Sequence, residues 1–136
     1  MAEAKSKTGI VLSLDGQDKK FDAISCTFYF NQGLLADGKP NGNVSGGTVQ
    51  LAVFCTKDKV ISEWLADSNK TYDGKVIIHE PNNSDQTMKT LEFKKGYCIH
   101  LAESYSTGPS GTQSFTIAAD EITLEGTAII QNHWDN

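Results

Sequence analysis

Residues 24–30 of the chain read Ile24-Ser25-Cys26-Thr27-Phe28-Tyr29-Phe30, and this stretch decides the fold class. Every second side chain is apolar, and serine, threonine and tyrosine stand between them. A period of two residues is that of a β-strand with one buried face. Two phenylalanines, a tyrosine and an isoleucine within seven residues are also typical of strands. The stretch therefore predicts a strand whose apolar face packs against a core.

The same alternation recurs on both sides of this strand. Together with residues 24–30, the recurrences predict about eight strands and a mainly β protein. Asp15-Gly16 is a turn signal of the hairpin type, and Lys94-Lys95-Gly96 is predicted to turn a second hairpin. The seven further strands are predicted at residues 10–14, 49–55, 76–78, 91–93, 97–101, 115–117 and 122–124.

One segment follows a helical period instead. Between Asp58 and Asn69 the apolar positions are residues 60, 61, 64 and 65, which form one stripe on a helix. Thr56 or Asp58 can cap its start, and Ser68-Asn69 is a plausible end. One amphipathic helix beside eight strands predicts a barrel or a sandwich with the helix on one opening or flank. In that arrangement Trp64 is a core residue.

The remaining segments predict a leader, a single domain and two connections. Residues 1–7 are small, polar and lysine-bearing, so they are predicted to be a flexible N-terminal leader to one domain over residues 8–136. Residues 31–47 contain five glycines and Pro40 without a strong period, and a connection of this length is uncommon unless it has a function. Residues 80–86 are polar and are predicted to be an ordinary exposed turn.

Composition excludes several classes of protein. The chain has 136 residues, a formal charge of -5 and twelve basic residues, all of them lysine. Without the guanidinium groups on which nucleic-acid and phosphate recognition depend, no nucleic-acid binding is expected. No apolar run approaches the length of a membrane span, and no signal peptide is recognisable. We therefore expect synthesis and folding in the cytoplasm, and any export to proceed without a conventional signal peptide.

The residues that could carry chemistry form no recognisable catalytic or metal motif. His79, His100 and His133 have no zinc-ligand spacing, and the three widely spaced cysteines fit small buried apolar residues better than ligands. An enzymatic site would have to be assembled from His100, Glu92 and Glu103, all predicted to lie on polar strand faces. Nothing in the sequence supports that site. We predict no catalytic residue, no metal and no cofactor.

Two non-enzymatic hypotheses remain. A β-domain has strand edges to cover, and assembly with copies of itself is one way to cover them. The alternative is a monomeric β-barrel that binds a small ligand, with Trp64, Tyr97 and Tyr105 lining its pocket. A monomer with an enclosed cavity would support the second hypothesis, and ring-shaped particles would support the first.

A set of short motifs, in order across nearly the whole chain, carries a family resemblance. From about residue 9 to residue 134 the sequence resembles the tube proteins of type VI secretion systems, the Hcp or TssD family, and in particular the version found in Bacteroidetes. The motifs are Cys26-Thr27-Phe28-Tyr29-Phe30, residues 37–49 from Asp37-Gly38-Lys39-Pro40 to Thr48-Val49, Met88-Lys89-Thr90-Leu91-Glu92-Phe93, Gly96-Tyr97, Glu103-Ser104-Tyr105, Phe115-Thr116-Ile117-Ala118-Ala119 with Ile122, and Asn132-His133-Trp134.

The resemblance implies a fold and a function. The fold would be a split β-barrel with one α-helix, like that of phage tail-tube proteins. Six subunits would close into a ring, and rings would stack into a hollow tube that a contractile sheath propels. The implied partners are further copies of the chain, sheath proteins, a spike protein, and effector proteins carried in the lumen. The type VI apparatus would export the protein to the extracellular space or a target cell.

The resemblance also assigns candidate residues. The extended loop after the second strand would reach the next ring; its candidates are Leu34, Leu35, Asp37, Lys39, Pro40, Asn41, Asn43 and Val44. Candidates for the lumen or the subunit interface are Thr90, Glu92, His100 and Ser104. The sequence departs from the family pattern at residues 108–113, where a Pro-Met pair is more usual, and at Lys39-Pro40-Asn41, where Arg-Pro-Ser is more usual.

Overall fold

The structure is a computed structural model that describes residues 9–18, 20–108, 111–132 and 134, with the side chains of residues 43, 45, 46 and 83–85 left out. The leader predicted at residues 1–7 lies outside the described residues. The described part contains one helix and seven strands, which confirms the predicted fold class. The elements are β1 Ile10–Leu14, β2 Lys20–Leu34, β3 Pro40–Phe54, α1 Val60–Ala66, β4 Tyr72–Glu80, β5 Asn83–Ser104, β6 Thr112–Leu124 and β7 Thr127–Gln131.

The strands form one antiparallel sheet that closes on itself. Their order is β3-β2-β1-β4-β5-β6-β7, and a further pairing of β3 with β6 closes the barrel. β6 pairs with β5 along its length, and its other edge is shared: residues 112–118 pair with β3 and residues 121–124 with β7. Closure removes most of the free strand edges that an open sheet would leave exposed.

The core lies inside this barrel, and every strand and the helix contribute to it. The largest buried side chains include Trp64, Phe93 and Phe115, each at most 2% exposed. The indole Nε1 of Trp64 donates a hydrogen bond to the carbonyl of Gly96 at 3.0 Å, and its ring meets Tyr72 edge-on at 5.0 Å between centroids. A buried indole N–H needs such a partner, so the prediction that Trp64 belongs to the core is confirmed.

The helix is shorter than the apolar stripe predicted. It begins at Val60, whose backbone N–H donates to the Asp58 carboxylate at 2.8 Å, and it ends at Ala66. Ile61 and Trp64 are buried, whereas Leu65 is exposed at the edge of the stripe. Asp67 stops the helix before the predicted end because its carboxylate accepts a hydrogen bond from Asn69 N–H, which forms a turn instead.

The hairpin predicted across Lys94-Lys95-Gly96 was wrong. β5 runs without reversal from Asn83 to Ser104, and Lys95 takes a positive φ of 52° in the middle of it. The backbone N–H of Lys95 donates to the Asp73 carboxylate at 2.9 Å, which holds this irregularity in place. The two short strands predicted within residues 115–124 are likewise one strand, β6.

Two predicted loops are mostly strand. The structure turns only at residues 81–82 within the segment 80–86, because β5 begins at Asn83. In the segment 31–47, β2 continues to Leu34 and β3 begins at Pro40, so the loop is the outer part of a β-hairpin. Sequence analysis also missed β7, which follows a two-residue turn at Glu125-Gly126 where both residues have positive φ, the conformation that favours tight hairpins.

Candidate assembly surfaces

The first candidate surface is a four-stranded sheet without charges on its outward side. β2, β3, β6 and β5 are neighbours in this order, and their cross-strand register places Thr27, Gln50, Thr116 and His100 in one row. The four-stranded part consists of residues 25–29 of β2, 48–54 of β3, 112–118 of β6 and 97–104 of β5. We call the outward side chains of these segments the neutral face, and none of them is acidic, lysine or arginine. They are Ser25, Thr27, Tyr29, Thr48, Gln50, Ala52, Phe54, Thr112, Ser114, Thr116, Ala118, Tyr97, His100, Ala102 and Ser104.

The same four-stranded sheet has two free edges. β1 pairs with β2 only at residues 20–22, and β4 reaches β5 only as far as Gly96. In the described part of the chain, residues 24–30 of β2 and 98–104 of β5 therefore have a strand neighbour on one side only. Each free edge carries an isoleucine in a register shift: Ile24, 41% exposed, and Ile99, 55% exposed. We call these segments the free edges.

A second candidate surface lies on the other side of the barrel and is rich in charge. Lys75 lies opposite Glu92, and Lys94 lies opposite Glu121, at neighbouring positions on β4, β5 and β6. These four residues and Thr123 line an open groove together with Asp15, from the turn after β1, and Asp73, near the start of β4. We call it the charged face. Opposite charges across adjacent strands contribute roughly 0.2–1 kcal/mol per pair.

The third candidate surface is the outer part of the β2–β3 hairpin. Residues 40–46 of β3 pair with β2 alone, whereas residues 48–53 pair with both β2 and β6, so residues 31–46 extend beyond the barrel. We call this segment the arm. Its turn is fixed by hydrogen bonds from Leu35 N–H to the carbonyl of Lys39 at 2.7 Å and from Gly38 N–H to the carbonyl of Leu35 at 2.9 Å.

All eight residues predicted for ring stacking lie in the arm. Leu34 is 69% exposed, and Leu35, Val44, Pro40 and Asn41 are exposed too. Asp37 and Lys39 lie at the tip; the carboxylate of Asp37 accepts a hydrogen bond from the backbone N–H of Lys39 at 3.0 Å. Asn43 belongs to β3, and its side chain lies outside the described part of the structure.

The four residues predicted for the lumen or the subunit interface fall on two different surfaces. His100 and Ser104 belong to the neutral face, although the bulge at Ile99 places His100 and Ile99 both in solvent rather than on alternate sides. Glu92 belongs to the charged face. Thr90 lies outward near it, and its backbone N–H donates to the carboxylate of Glu125 at 3.0 Å.

The structure does not assemble either alternative site. Trp64 is buried, Tyr97 packs outside the barrel against Trp134 at 5.7 Å between ring centroids, and Tyr105 is 68% exposed at one end. They therefore line no common pocket. The hypothetical catalytic set is likewise dispersed, because His100 and Glu92 lie on different faces and Glu103 binds Tyr105 and Gln113.

The cysteines and acidic groups show no ligand arrangement in the part of the chain described. Within it, no three His, Cys, Asp or Glu side chains are placed to hold a metal ion; His133 lies outside it. The three cysteines are free thiols, with Cys98 buried and the others half-buried. Burial raises the pKa of Cys26 to about 11 and also raises the pKa of Cys98. No helix among the described residues is long and apolar enough to cross a membrane.

Sequence reasoning missed the free edges and the base of the sheet. Ile24 and Ile99 were predicted to face the core because the two-residue period runs through them unbroken, and only the register shifts turn them outward. Tyr105 was considered as a pocket residue and as part of the motif Glu103-Ser104-Tyr105, but not as a residue at the end of the sheet. The strand predicted at residues 97–101 stops short of it, and the extension of β5 to Ser104 places it there.

Several solved structures have a fold similar to that of this chain. Hcp1 from Flavobacterium johnsoniae is similar, with a TM-score of 0.76, 23% identity, and 93% of this chain and 98% of that chain covered. Hcp1 from Salmonella typhimurium is similar with a TM-score of 0.67 and 14% identity, and 85% of this chain and 83% of that chain are covered. A sheath-tube complex of an extracellular contractile injection system has a TM-score of 0.56 and 12% identity, with 90% of this chain and 91% of that chain covered. The chain therefore has the fold of these Hcp structures.

The family follows from the sequence itself. Residues 6–135 match the model of the family described as hemolysin coregulated protein Hcp (TssD), and the chain belongs to that family. No curated protein matches the chain significantly. The family consists of structural tube proteins that type VI systems secrete, so both the recognised resemblance and the prediction of a non-enzymatic protein are confirmed.

Proposed function

We propose that six copies of this chain close into a ring and that rings stack into the inner tube of a type VI secretion system. The observation that carries the proposal is the four-stranded sheet with a free edge on each side. In a cyclic assembly the β2 edge of one copy meets the β5 edge of the next, a heterologous contact that repeats around the ring. The unpaired backbone groups of both edges and the exposed isoleucines are then covered.

The neutral face lines the lumen in this assembly. β1, β4, α1 and the charged face all lie behind the four-stranded sheet, and the bulkier half of a subunit needs the larger circumference outside a ring. Four strands in each of six copies make twenty-four. At about 4.8 Å between strands, the circumference is about 115 Å and the backbone diameter roughly 37 Å if the strands run along the axis. Strand tilt increases this backbone diameter.

The proposal assigns the predicted residues and partners. His100 and Ser104 line the lumen, where effector proteins are carried past uncharged side chains. Glu92, with Lys75, Lys94 and Glu121, faces outward toward the sheath. The arm contacts the next ring, and the spike protein tips the stack. The chain folds in the cytoplasm and leaves the cell as part of the propelled tube.

Electron microscopy and light scattering of the purified protein test the ring. We expect annular particles whose inner wall has a backbone diameter of at least about 37 Å, and a mass of six times 14.8 kDa, about 89 kDa. Ile99→Lys places a charge on the β5 free edge and is expected to leave monomers. The matched control, Met88→Lys, changes an equally exposed apolar residue, 50% exposed, on β5 away from that edge. Monomers of the unmodified protein at high concentration would refute the ring.

A further inference from the structure

His100 is the residue through which the neutral face can change its charge. Among the described residues of that face it is the only one whose side chain is of a type that gains or loses a proton between pH 5 and 8, and it is exposed. The phenols of Tyr29 and Tyr97 belong to a type that is uncharged in this range. The thiol of Cys98, beneath the face, is kept neutral because burial raises its pKa. In acid the face therefore gains one positive charge per chain, on His100.

In the described part of the chain, no carboxylate is placed to neutralise an imidazolium at this position. The outward side chains of the four-stranded part on β2, β3 and β6 include no acid. Along β5 the nearest acid is Glu103, whose two carboxylate oxygens already accept hydrogen bonds from Tyr105 and Gln113, each at 2.6 Å. Asp22 belongs to the part of β2 that pairs with β1, beyond the free edge. A proton on His100 thus leaves a positive charge that can attract an anion.

The side chains around His100 form a shallow well of about 250 Å³ that is lined for hydrogen bonding. Hydroxyl and amide groups can both donate and accept, whereas an imidazolium only donates, from both ring nitrogens. A hydrogen bond from an imidazolium to a carboxylate is charge-assisted and roughly twice as strong as a neutral one. The well therefore suits a carboxylate, and suits it best when His100 is protonated. The polar side chains of the lining are Ser25, Thr27, Gln50, His100, Ser114 and Thr116.

The proposed ring repeats this well once per copy on the wall of the lumen. One sixth of a circumference of about 115 Å separates adjacent wells by about 19 Å. Charges that far apart are largely screened from each other at 0.15 M salt, where the Debye length is about 8 Å, so the protonated ring is expected to stay closed. A segment of six acidic residues is about 20 Å long when extended and reaches from one well to the next. Charges of one sign on a concave wall also add to a potential of several kT.

We propose that protonation of His100 converts the wall of the lumen into a binding surface for acidic protein segments. The inference rests on the proposed ring and tube, and it adds the chemistry of the bound segment and the condition under which it is held. A protein segment is favoured over nucleic acid because the neutral face presents no lysine or arginine to phosphate groups. Segments bound at acidic pH are released when the imidazole loses its proton.

Fluorescence anisotropy of a rhodamine-labelled peptide of six aspartates tests the site. At 0.15 M salt we expect the unmodified rings to bind it at least about tenfold more tightly at pH 5.5 than at pH 7.5. His100→Gln is expected to bind it equally weakly at both pH values, and His100→Lys, which carries a permanent charge, equally tightly at both. A peptide of six asparagines should show no dependence on pH. The same pH dependence in His100→Gln as in the unmodified protein would overturn the inference.

Further variants separate the charge of His100 from other effects of pH. All are made in a His133→Gln background, so that this histidine does not contribute. His79→Gln removes a histidine on β4, outside the four-stranded sheet, and should leave the pH dependence unchanged. Thr116→Asp sets a carboxylate beside His100 in the same cross-strand row and is expected to cancel the gain in affinity at pH 5.5, whereas Thr123→Asp on the charged face should not. An undiminished gain in Thr116→Asp would contradict the site.

Light scattering at both pH values keeps the two proposals apart. We expect the six-subunit mass at pH 7.5 and at pH 5.5. Rings that form at pH 7.5 but fall apart at pH 5.5 would overturn the inference and leave the proposed function standing. Absence of rings in the unmodified protein at pH 7.5 would instead refute the proposed function, so the two failures are distinguishable.

Discussion

The neutral face and the charged face share two strands yet differ completely in composition. β5 contributes Glu92 and Lys94 to the charged face and then His100 and Ser104 to the neutral face, and β6 divides in the same way. The division on β5 falls at Lys95, where the positive φ bends the strand. A monomeric barrel in water would gain nothing by clearing charge from half of its outward positions. The contrast teaches that the two halves of each strand are adapted to different surroundings.

The largest expected effect is on the free energy of unfolding, and it tests whether the neutral face and the charged face pack over the same hydrophobic core. Phe115 lies beneath the neutral face and Phe93 beneath the charged face, and both are buried. Replacing either by alanine should lower the free energy of unfolding by about 3–5 kcal/mol. Thr116→Ala, the outward neighbour of Phe115, should cost less than about 0.5 kcal/mol. Guanidinium titration followed by fluorescence measures this, and two separate transitions would show that the faces belong to independent units.

A substitution with an intermediate expected effect on assembly tests whether the neutral face must be free of charge. Thr116 and Thr123 are both half-buried outward threonines of β6, one on each face. Thr116→Lys puts one positive charge per copy on the neutral face, and mutual repulsion in a ring should weaken assembly about tenfold, or 1.4 kcal/mol, at low salt. Thr123→Lys, opposite Glu92, should leave assembly unchanged.

Sedimentation at two salt concentrations measures this difference. Assembly of Thr116→Lys should recover at high salt, because screening shortens the reach of the repulsion. Equal behaviour of the two lysine variants at both salt concentrations would contradict the distinction between the faces.

The smallest effect concerns the border of the neutral face. The hydrogen bond to the Glu103 carboxylate, more than any other contact, raises the pKa of Tyr105 above its usual value of 10; the same bond and that from Gln113 lower the pKa of Glu103. Tyr105 should therefore be the last tyrosine to ionise when absorbance at 295 nm is followed toward high pH. In Glu103→Gln it should ionise at lower pH.

The directions of these two pKa shifts determine the pH range in which the hydrogen bond between Tyr105 and Glu103 stabilises the fold. Because the folded pKa of Tyr105 is raised, its contribution is complete below the unfolded pKa and is lost as pH rises through the folded value. Because the folded pKa of Glu103 is lowered, its contribution is present above the unfolded pKa and is lost as pH falls through the folded value. An unshifted Tyr105 in the unmodified protein would contradict the contact.

The fold class was predictable because alternation and the single helical stripe survive in the sequence, and Trp64 was placed correctly by its position in that stripe. The connections between strands could not be predicted. Lys95 adopts a positive φ that lets β5 continue, and a lysine side chain gives no sign of that conformation. The bulges at Ile24 and Ile99 were hidden for the same reason: an extra residue in one strand leaves the pattern of apolar residues unchanged but turns a side chain outward. The Glu125-Gly126 turn and β7 were detectable from the glycine and the apolar run after it.

The candidate surfaces divide in a similar way. The exposed arm residues Leu34 and Leu35 were found from the length and glycine content of their segment together with the family resemblance. The neutral face could not be found from sequence, because its residues come from four strands and meet only through the register of β2, β3, β6 and β5. Thr27, Gln50, Thr116 and His100 span more than seventy positions of the chain.

The two free edges have a consequence for how far the protein can grow. A strand edge that stays open can recruit further copies sideways without limit, which leads to sheets and aggregates. A ring that closes through residues 24–30 and 98–104 covers both of these edges, so growth through them stops and further copies add at the two flat ends. Ring closure would thus turn a subunit with two open strand edges into a ring that polymerises along one axis only. The diameter of the tube would be set by the ring, and its length by the number of rings that stack.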